Sequence, residues 1–192
     1  MDVYDFDKTL YQRDSTVDFF LFCLRRHPKV FLSVPRAVVS GLGHIVGLRT
    51  ITQFKECFYR FLRHVPDVEA EVRLFWEASR LRVAGPCQPK PGDLVISASP
   101  EFLLAPICSE LGLRLIASRV SPTTGLYEGI NCRKEEKVRR FREEYPNATI
   151  DAFYSDSLSD RPLAILATQA FIVTKGTLVP WATYDPHFPP TP

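Results

Sequence analysis

Two aspartates stand two residues apart near the start of the chain, in the segment MDVYDFDKTLY, directly behind the short apolar and aromatic run Val3-Tyr4. Residues two apart in a strand point to the same side, so Asp5 and Asp7 bring like charges together. That costs free energy unless a cation or a shared proton compensates. Taken alone, the pair also reads as a surface loop in which Lys8 balances one carboxylate.

A second acidic group follows in YSDSLSD at 154–160. Asp156 and Asp160 are four apart and share a side if the chain turns helical there. Helix capping by Asp156 or Ser159 is the competing reading, and it accounts for only one of the acids. Together with Asp5 and Asp7 they can form the oxygen-rich surroundings that a hard divalent ion such as magnesium prefers. LVISASP at 94–100 offers Ser97 as an anion-binding hydroxyl at a strand end, and Ser99 as the cap of the next helix. NCRKEEK at 131–137 opens a charged helix whose cations can neutralise phosphate. Spacing does not choose between Arg133, Lys134 and Lys137, and a solvated charged face is the plain alternative.

The elements that must position these groups follow from the patterning. A brief strand is predicted over 2–6. Asp14-Ser15-Thr16 can cap a helix over 17–26, and Pro28 and Pro35 punctuate its exit. Helices are then predicted over 37–48, 52–62 and 68–81. The proline-rich stretch 85–92 breaks the chain. Beyond it come a strand at 94–96, a helix over 102–111, a strand over 113–120, a small hairpin through 126–130, a charged helix over 134–145, a strand over 149–154, a short helix over 161–168 and small strands at 170–173 and 177–179. The end, YDPHFPPTP, reads as an extended or loose tail. Alternating strands and helices favour a mostly parallel sheet with covering helices. Residues 1–13 and 91–192 are therefore expected to form one α/β core, interrupted by a helical insert at 14–90.

Composition bounds the rest. A chain of 192 residues that is 45% hydrophobic can bury a real core. A formal charge of +2 gives no pointer to a nucleic-acid partner. Cysteines at 23, 57, 87, 108 and 132 lack the spacing of a zinc site or a disulfide framework, so a reduced, cytoplasmic setting is expected. Two aspartates open the chain where a signal peptide would have a basic region, so none is expected. The longest uncharged stretch, AVVSGLGHIVGL, has 12 residues against the about 20 that a membrane span needs. Between Arg36 and Arg49 it can lie on a membrane surface or wall an apolar pocket; a buried helix of the insert is the reading preferred here.

DFDKT at 5–9 resembles the aspartyl-nucleophile motif of the haloacid dehalogenase superfamily, and the wider similarity is to its phosphoserine-phosphatase-like branch. VISASPEF, NCRKEEKVRRF and YSDSLSD resemble that branch's second, lysine and acidic motifs, in the right order. The resemblance implies a Rossmann-like parallel sheet with an inserted helical cap, and a magnesium-dependent phosphomonoester hydrolase. By the same resemblance Asp5 would be the nucleophile and Asp7 the general acid and base. Ser97 and Lys137 would hold phosphate. Magnesium would be held by Asp5, the Asp7 main-chain carbonyl and Asp156, with Asp160 in the direct or water-mediated shell. Lys134 stands where close relatives carry a small residue, often glycine, and its side chain would crowd or further charge the phosphate pocket.

The aromatic-rich insert exceeds what a small polar substrate needs, although most of its rings are expected in its own core. A substrate with an apolar portion is the other reading, including a lipid phosphate such as phosphatidylglycerophosphate handled at a membrane surface. A phosphotransferase and a non-catalytic phospho-ligand binder share the same motifs. Oligomeric state is not readable.

Overall fold

The computed structural model describes residues 1–83 and 85–189. A six-stranded sheet with order β3-β2-β1-β4-β5-β6 forms its centre. The strands are β1 (Val3–Tyr4), β2 (Leu94–Pro100), β3 (Arg114–Ser118), β4 (Ile150–Ser155), β5 (Ala167–Thr174) and β6 (Thr177–Pro180). All neighbours are parallel except β5 and β6. β1 is only two residues long, yet it sits between β2 and β4, with Val3 opposite Leu94 and Phe153. The sheet order reverses there, and ligands of open α/β sheets gather beyond the strand ends at such a point.

Alternation along the strands feeds two cores. Val3, Leu94 and Ile96 face a cluster with Phe141, Leu163 and Trp181. Tyr4 and Val95 face the opposite cluster, which includes Phe19, Phe75 and Trp76. Strands buried on both faces explain why β2 reads as a continuous apolar run.

Between β1 and β2 lie α1 (Ser15–Arg26), α2 (Val34–Ile45), α3 (Ile51–Tyr59) and α4 (Val68–Ser79). Asp14 caps α1 by accepting from Val17 N at 2.9 Å. Thr50 and Gln53 form a reciprocal capping box at the start of α3. α4 is tied to the sheet-covering helix α5 (Glu101–Glu110) by the Trp76 indole, which donates to Leu103 O at 2.6 Å. α6 (Glu135–Glu144) and the short α7 (Arg161–Ala164) complete the helices. Among the described residues no helix is long and apolar enough to cross a membrane.

Several expected elements differ. The helix over 161–168 stops at Ala164, and Ala167 already begins β5, because Ala167 and the run 169–172 pair in parallel with β4. The hairpin through 126–130 reduces to one bridge between Val120 and Tyr127. The uncharged stretch 37–48 is not buried: α2 starts earlier, at Val34, and Ile45 and Leu48 are about 80% exposed. The tail is tied down through Phe188, which packs on the buried Trp181, and through the ion pair of Arg161 with Asp185. Its last residues, 190–192, lie outside the described ones. All five thiols are unpaired and buried.

Candidate active site

The DFD loop is held by its middle residue. Phe6 is fully buried, stacked on Tyr11 and set edge-on to Trp76, and its carbonyl accepts from the amides of Thr9, Leu10 and Tyr11. The flanking aspartates therefore leave the loop on its other side. Asp5 continues the sheet, its amide donating to Tyr154 O at 2.8 Å. Asp7 reaches the start of α1, where Oδ1 accepts from Ser15 N at 2.7 Å. Its Oδ2 accepts from Ser99 Oγ, which also lies 3.2 Å from Thr16 Oγ1. Burial raises the Asp7 pKa and the charge of Asp14 adds to this, while the bonds from Ser15 and Ser99 work against it. A carboxyl whose pKa is raised in that way keeps its proton more readily than a free one, as a proton donor must.

Lys137, in the first turn of α6, is 2% exposed and spans two carboxylates: Nζ lies 2.7 Å from Asp5 Oδ1 and 2.8 Å from Asp160 Oδ2. Burial opposes its charge, but Asp5 and Asp160 outweigh burial and raise its pKa. The Asp5 carboxyl is pushed up to about 7, chiefly by burial and further by Asp160, against the pull of Lys137. Asp160 Oδ2 also accepts from Ser155 Oγ at 2.8 Å. Oδ2 of Asp160 thus serves both Lys137 and Ser155.

Lys134 takes a different course from the one expected of it. Its side chain is exposed, and its backbone has φ 52° and ψ −125°. An L-residue rarely adopts that conformation and glycine adopts it freely. The small residue expected at this position is explained by the backbone, not by room in a pocket.

Asp5, Asp7, Ser97 and Asp156 line one cavity of about 300 Å³. Lys137 and Asp160 do not line it, and Lys137 meets the site through its contact with Asp5. Asp156 is half-buried, and burial raises its pKa while Lys8 draws it back. Ser97 Oγ accepts from Ser99 N at 3.1 Å. The expected cap by Ser99 is not made: α5 has Pro100 at its N-cap without a side-chain bond, and Ser99 serves Asp7 instead. The cap of the acidic turn is Ser157, which accepts from Ser159 N, and neither Asp156 nor Ser159 takes that role.

The opposite wall comes from Thr16 and Val17 of α1 and from Phe54, Lys55, Phe58 and Tyr59 of α3. Lys55 Nζ donates to Ala98 O at 3.0 Å, and burial lowers its pKa. The sequence reading missed Ser99 and the lining role of Lys55. Period-two spacing from Ser97, and the 54/55/58/59 rhythm of one helix side, were the available signals.

No three His, Cys, Asp or Glu side chains among the described residues converge at distances that hold a metal ion. The donor chemistry nevertheless fits a hard cation. Asp5, Asp7 and Asp156 present only oxygen, and burial raises the pKa of all three, a cost that a bound cation relieves.

The chain is 29% identical over 185 residues to Protein CicA of two Caulobacter vibrioides strains, covering 86% of this chain and 82% of theirs. It is similar to the crystal structure of a protein of unknown function from Bordetella pertussis Tohama I, with TM-score 0.67, 24% identity, and coverage of 88% and 87%. A phosphoserine phosphatase carrying a phospho-aspartyl intermediate analogue aligns with TM-score 0.52 and 17% identity, over 88% of this chain and 83% of that one. The last two likenesses concern the fold. The family model for haloacid dehalogenase-like hydrolases matches residues 3–164, a span that runs from β1 to α7 and takes in every acidic and basic group around the cavity. With that match over a sheet whose strand ends gather these groups, the chain belongs to the haloacid dehalogenase-like hydrolases.

Proposed function

We propose that the chain is a magnesium-dependent phosphomonoester hydrolase of the phosphoserine-phosphatase-like branch, working through an aspartyl-phosphate on Asp5. The observation that carries this reading is the division of labour between two carboxylates beside one cavity. Asp5 is paired with the Lys137 ammonium, and Asp7 is anchored by Ser99 and the start of α1.

Asp5 attacks phosphorus through a carboxylate oxygen as the bond to the leaving alcohol breaks. Asp7 gives its proton to that departing oxygen. In the second half Asp7, now a carboxylate, takes a proton from water as the water oxygen attacks phosphorus and Asp5 is released. Ser97 and Lys137 hold phosphate oxygens. Asp160 keeps the lysine in place. Asp5, Asp156 and the Asp7 main-chain carbonyl would hold magnesium, which supplies charge neutralisation between the phosphate and its nucleophile. Residues 14–90 act as a cap over a core formed by 1–13 and 91–192, and Lys55 with Phe54 and Phe58 meets the part of the substrate that departs. The buried, unpaired thiols favour a reduced, cytoplasmic setting.

The test is phosphate release from a panel of soluble phosphomonoesters, with magnesium and with chelator, beside Asp5→Asn. Magnesium-dependent release that the variant loses is the expected result. Undiminished turnover by Asp5→Asn would overturn the nucleophile assignment.

A further inference from the structure

α2 is built inside out. Val38, Val39, Leu42 and Ile45 recur at helical spacing along one face and are 55–80% exposed, with Phe31 before them and Leu48 after them exposed as well. The side turned inward carries small groups. Ser40 is buried, and at Gly41 an added Cβ would meet the Phe54 ring at 3.2 Å. His44 stacks on the same ring at 6.0 Å. Helices of globular proteins ordinarily bury their apolar stripe, and a contiguous apolar face left in water marks an interaction surface.

The charge around this face says what it meets. From Phe19 through Lys55 the sequence contains no aspartate or glutamate, while Arg25, Arg26, Lys29, Arg36, Arg49 and Lys55 are all basic. The whole chain is only +2, so the rest of it is net acidic. Arg26 is paired with Glu71 of α4, but Lys29, Arg36 and Arg49 are exposed close to the apolar face in sequence. Apolar side chains among exposed cations match the chemistry of an anionic lipid surface, where the helix lies in the headgroup plane and its basic neighbours meet phosphate. A second copy of the chain fits poorly. A two-fold contact through this face would set the same basic segment against itself, and Glu56, the carboxylate that shares a cavity with Arg36 and Arg49, offsets only part of that charge.

We infer that the outer face of α2 docks the protein on an anionic bilayer, as a peripheral contact that no helix of the described chain extends into a span. This goes beyond the hydrolase reading and does not depend on it. The two are adjacent in the structure, because Phe54 both supports α2 and lines the cavity. The docked surface therefore lies one helix away from the candidate site.

The experiment is co-sedimentation of the full chain with vesicles of equal parts phosphatidylglycerol and phosphatidylcholine, and with phosphatidylcholine alone. The expected result is binding to the mixed vesicles that weakens as salt is raised. Leu42→Glu combined with Ile45→Glu is expected to lower partitioning about tenfold or more, with an unchanged circular dichroism spectrum. Lys29→Glu combined with Arg36→Glu keeps the apolar face and is expected to lose binding to the anionic vesicles specifically. Asp5→Asn is expected to bind as the parent does, which separates docking from catalysis. Absence of binding to the mixed vesicles would overturn the proposal. So would full binding by both charge-bearing variants, or a dimer in vesicle-free solution that the Leu42 and Ile45 variants split while vesicle binding persists. A chain that releases phosphate but ignores vesicles would sink the docking and leave the hydrolase reading intact.

Discussion

The Lys137 ammonium lies 2.7 Å from Asp5 Oδ1, with both side chains nearly out of water. Asp160 shares that ammonium at 2.8 Å, so one cation separates two buried carboxylates. Removing one partner of a buried pair leaves an uncompensated charge and commonly costs about 3 to 5 kcal/mol. Lys137→Met is expected to destabilise the protein by about 3 kcal/mol in urea unfolding at pH 8. The loss should shrink at pH 5, where Asp5 takes up a proton. Turnover is expected to fall at least about a hundredfold. Equal destabilisation at both pH values would contradict the role given to Asp5.

Ser99→Ala removes the hydroxyl that donates to Asp7 Oδ2. That bond favours the ionised form and lowers the Asp7 pKa, so its loss raises it. If Asp7 donates the proton, activity on the alkaline side is lost as Asp7 ionises, and the alkaline limb moves to higher pH in the variant. Hydrogen bonds to charged groups contribute about 1.5 to 3 kcal/mol, so turnover is expected to drop roughly tenfold or more. The pH profile of kcat is the measurement, and an unmoved alkaline limb would count against Asp7 as the acid.

Asp5 makes stability depend on pH in an unusual direction. Its carboxyl ordinarily titrates near 3.8 and is pushed up to about 7 in the fold, chiefly by burial. Between those values the folded chain holds a proton that the unfolded chain has released. The contribution of Asp5 to stability therefore falls as pH rises from about 4 to about 7. Without magnesium, Asp5→Asn is expected to be more stable than the parent at pH 8, by on the order of 2 kcal/mol, and no more stable at pH 4. Thermal melts in chelator across this range are the check. Added magnesium should close the gap by stabilising the parent.

Lys134 carries a left-handed backbone with an exposed side chain, at the start of the helix that supplies Lys137. Lys134→Gly is expected to stabilise the protein by about 1 kcal/mol, because strain at such a position exceeds the entropy that glycine loses on folding. Turnover should stay within about twofold, since the side chain does not enter the cavity. A destabilised variant with impaired turnover would show that Lys134 acts in the site.

The sequence by itself determined the α/β alternation after residue 91 and the four motif segments that flank the cavity. Apolar runs such as Leu94-Val95-Ile96 announce buried strands, and carboxylates beyond strand ends announce chemistry. It also limited α2 to a length too short to span a membrane. Only the tertiary structure decided the rest. A first strand over 2–6 was legible, but not that it shortens to the two residues of β1 or that it holds the centre of the sheet, which rests on pairing with β2 and β4, far away in sequence. Spacing does not separate Lys134 from Lys137 and the motif resemblance points to Lys137, but the pairing of Lys137 with both Asp5 and Asp160 exists only because the sheet brings those carboxylates to it. Ser99 looked like a cap because local patterns favour that role, yet a long-range carboxylate took its hydroxyl. α2 presents the same limit in its plainest form. Periodicity fixes that a helix has an apolar face, but only the packing of Ser40, Gly41 and His44 against α3 decides that this face meets the outside.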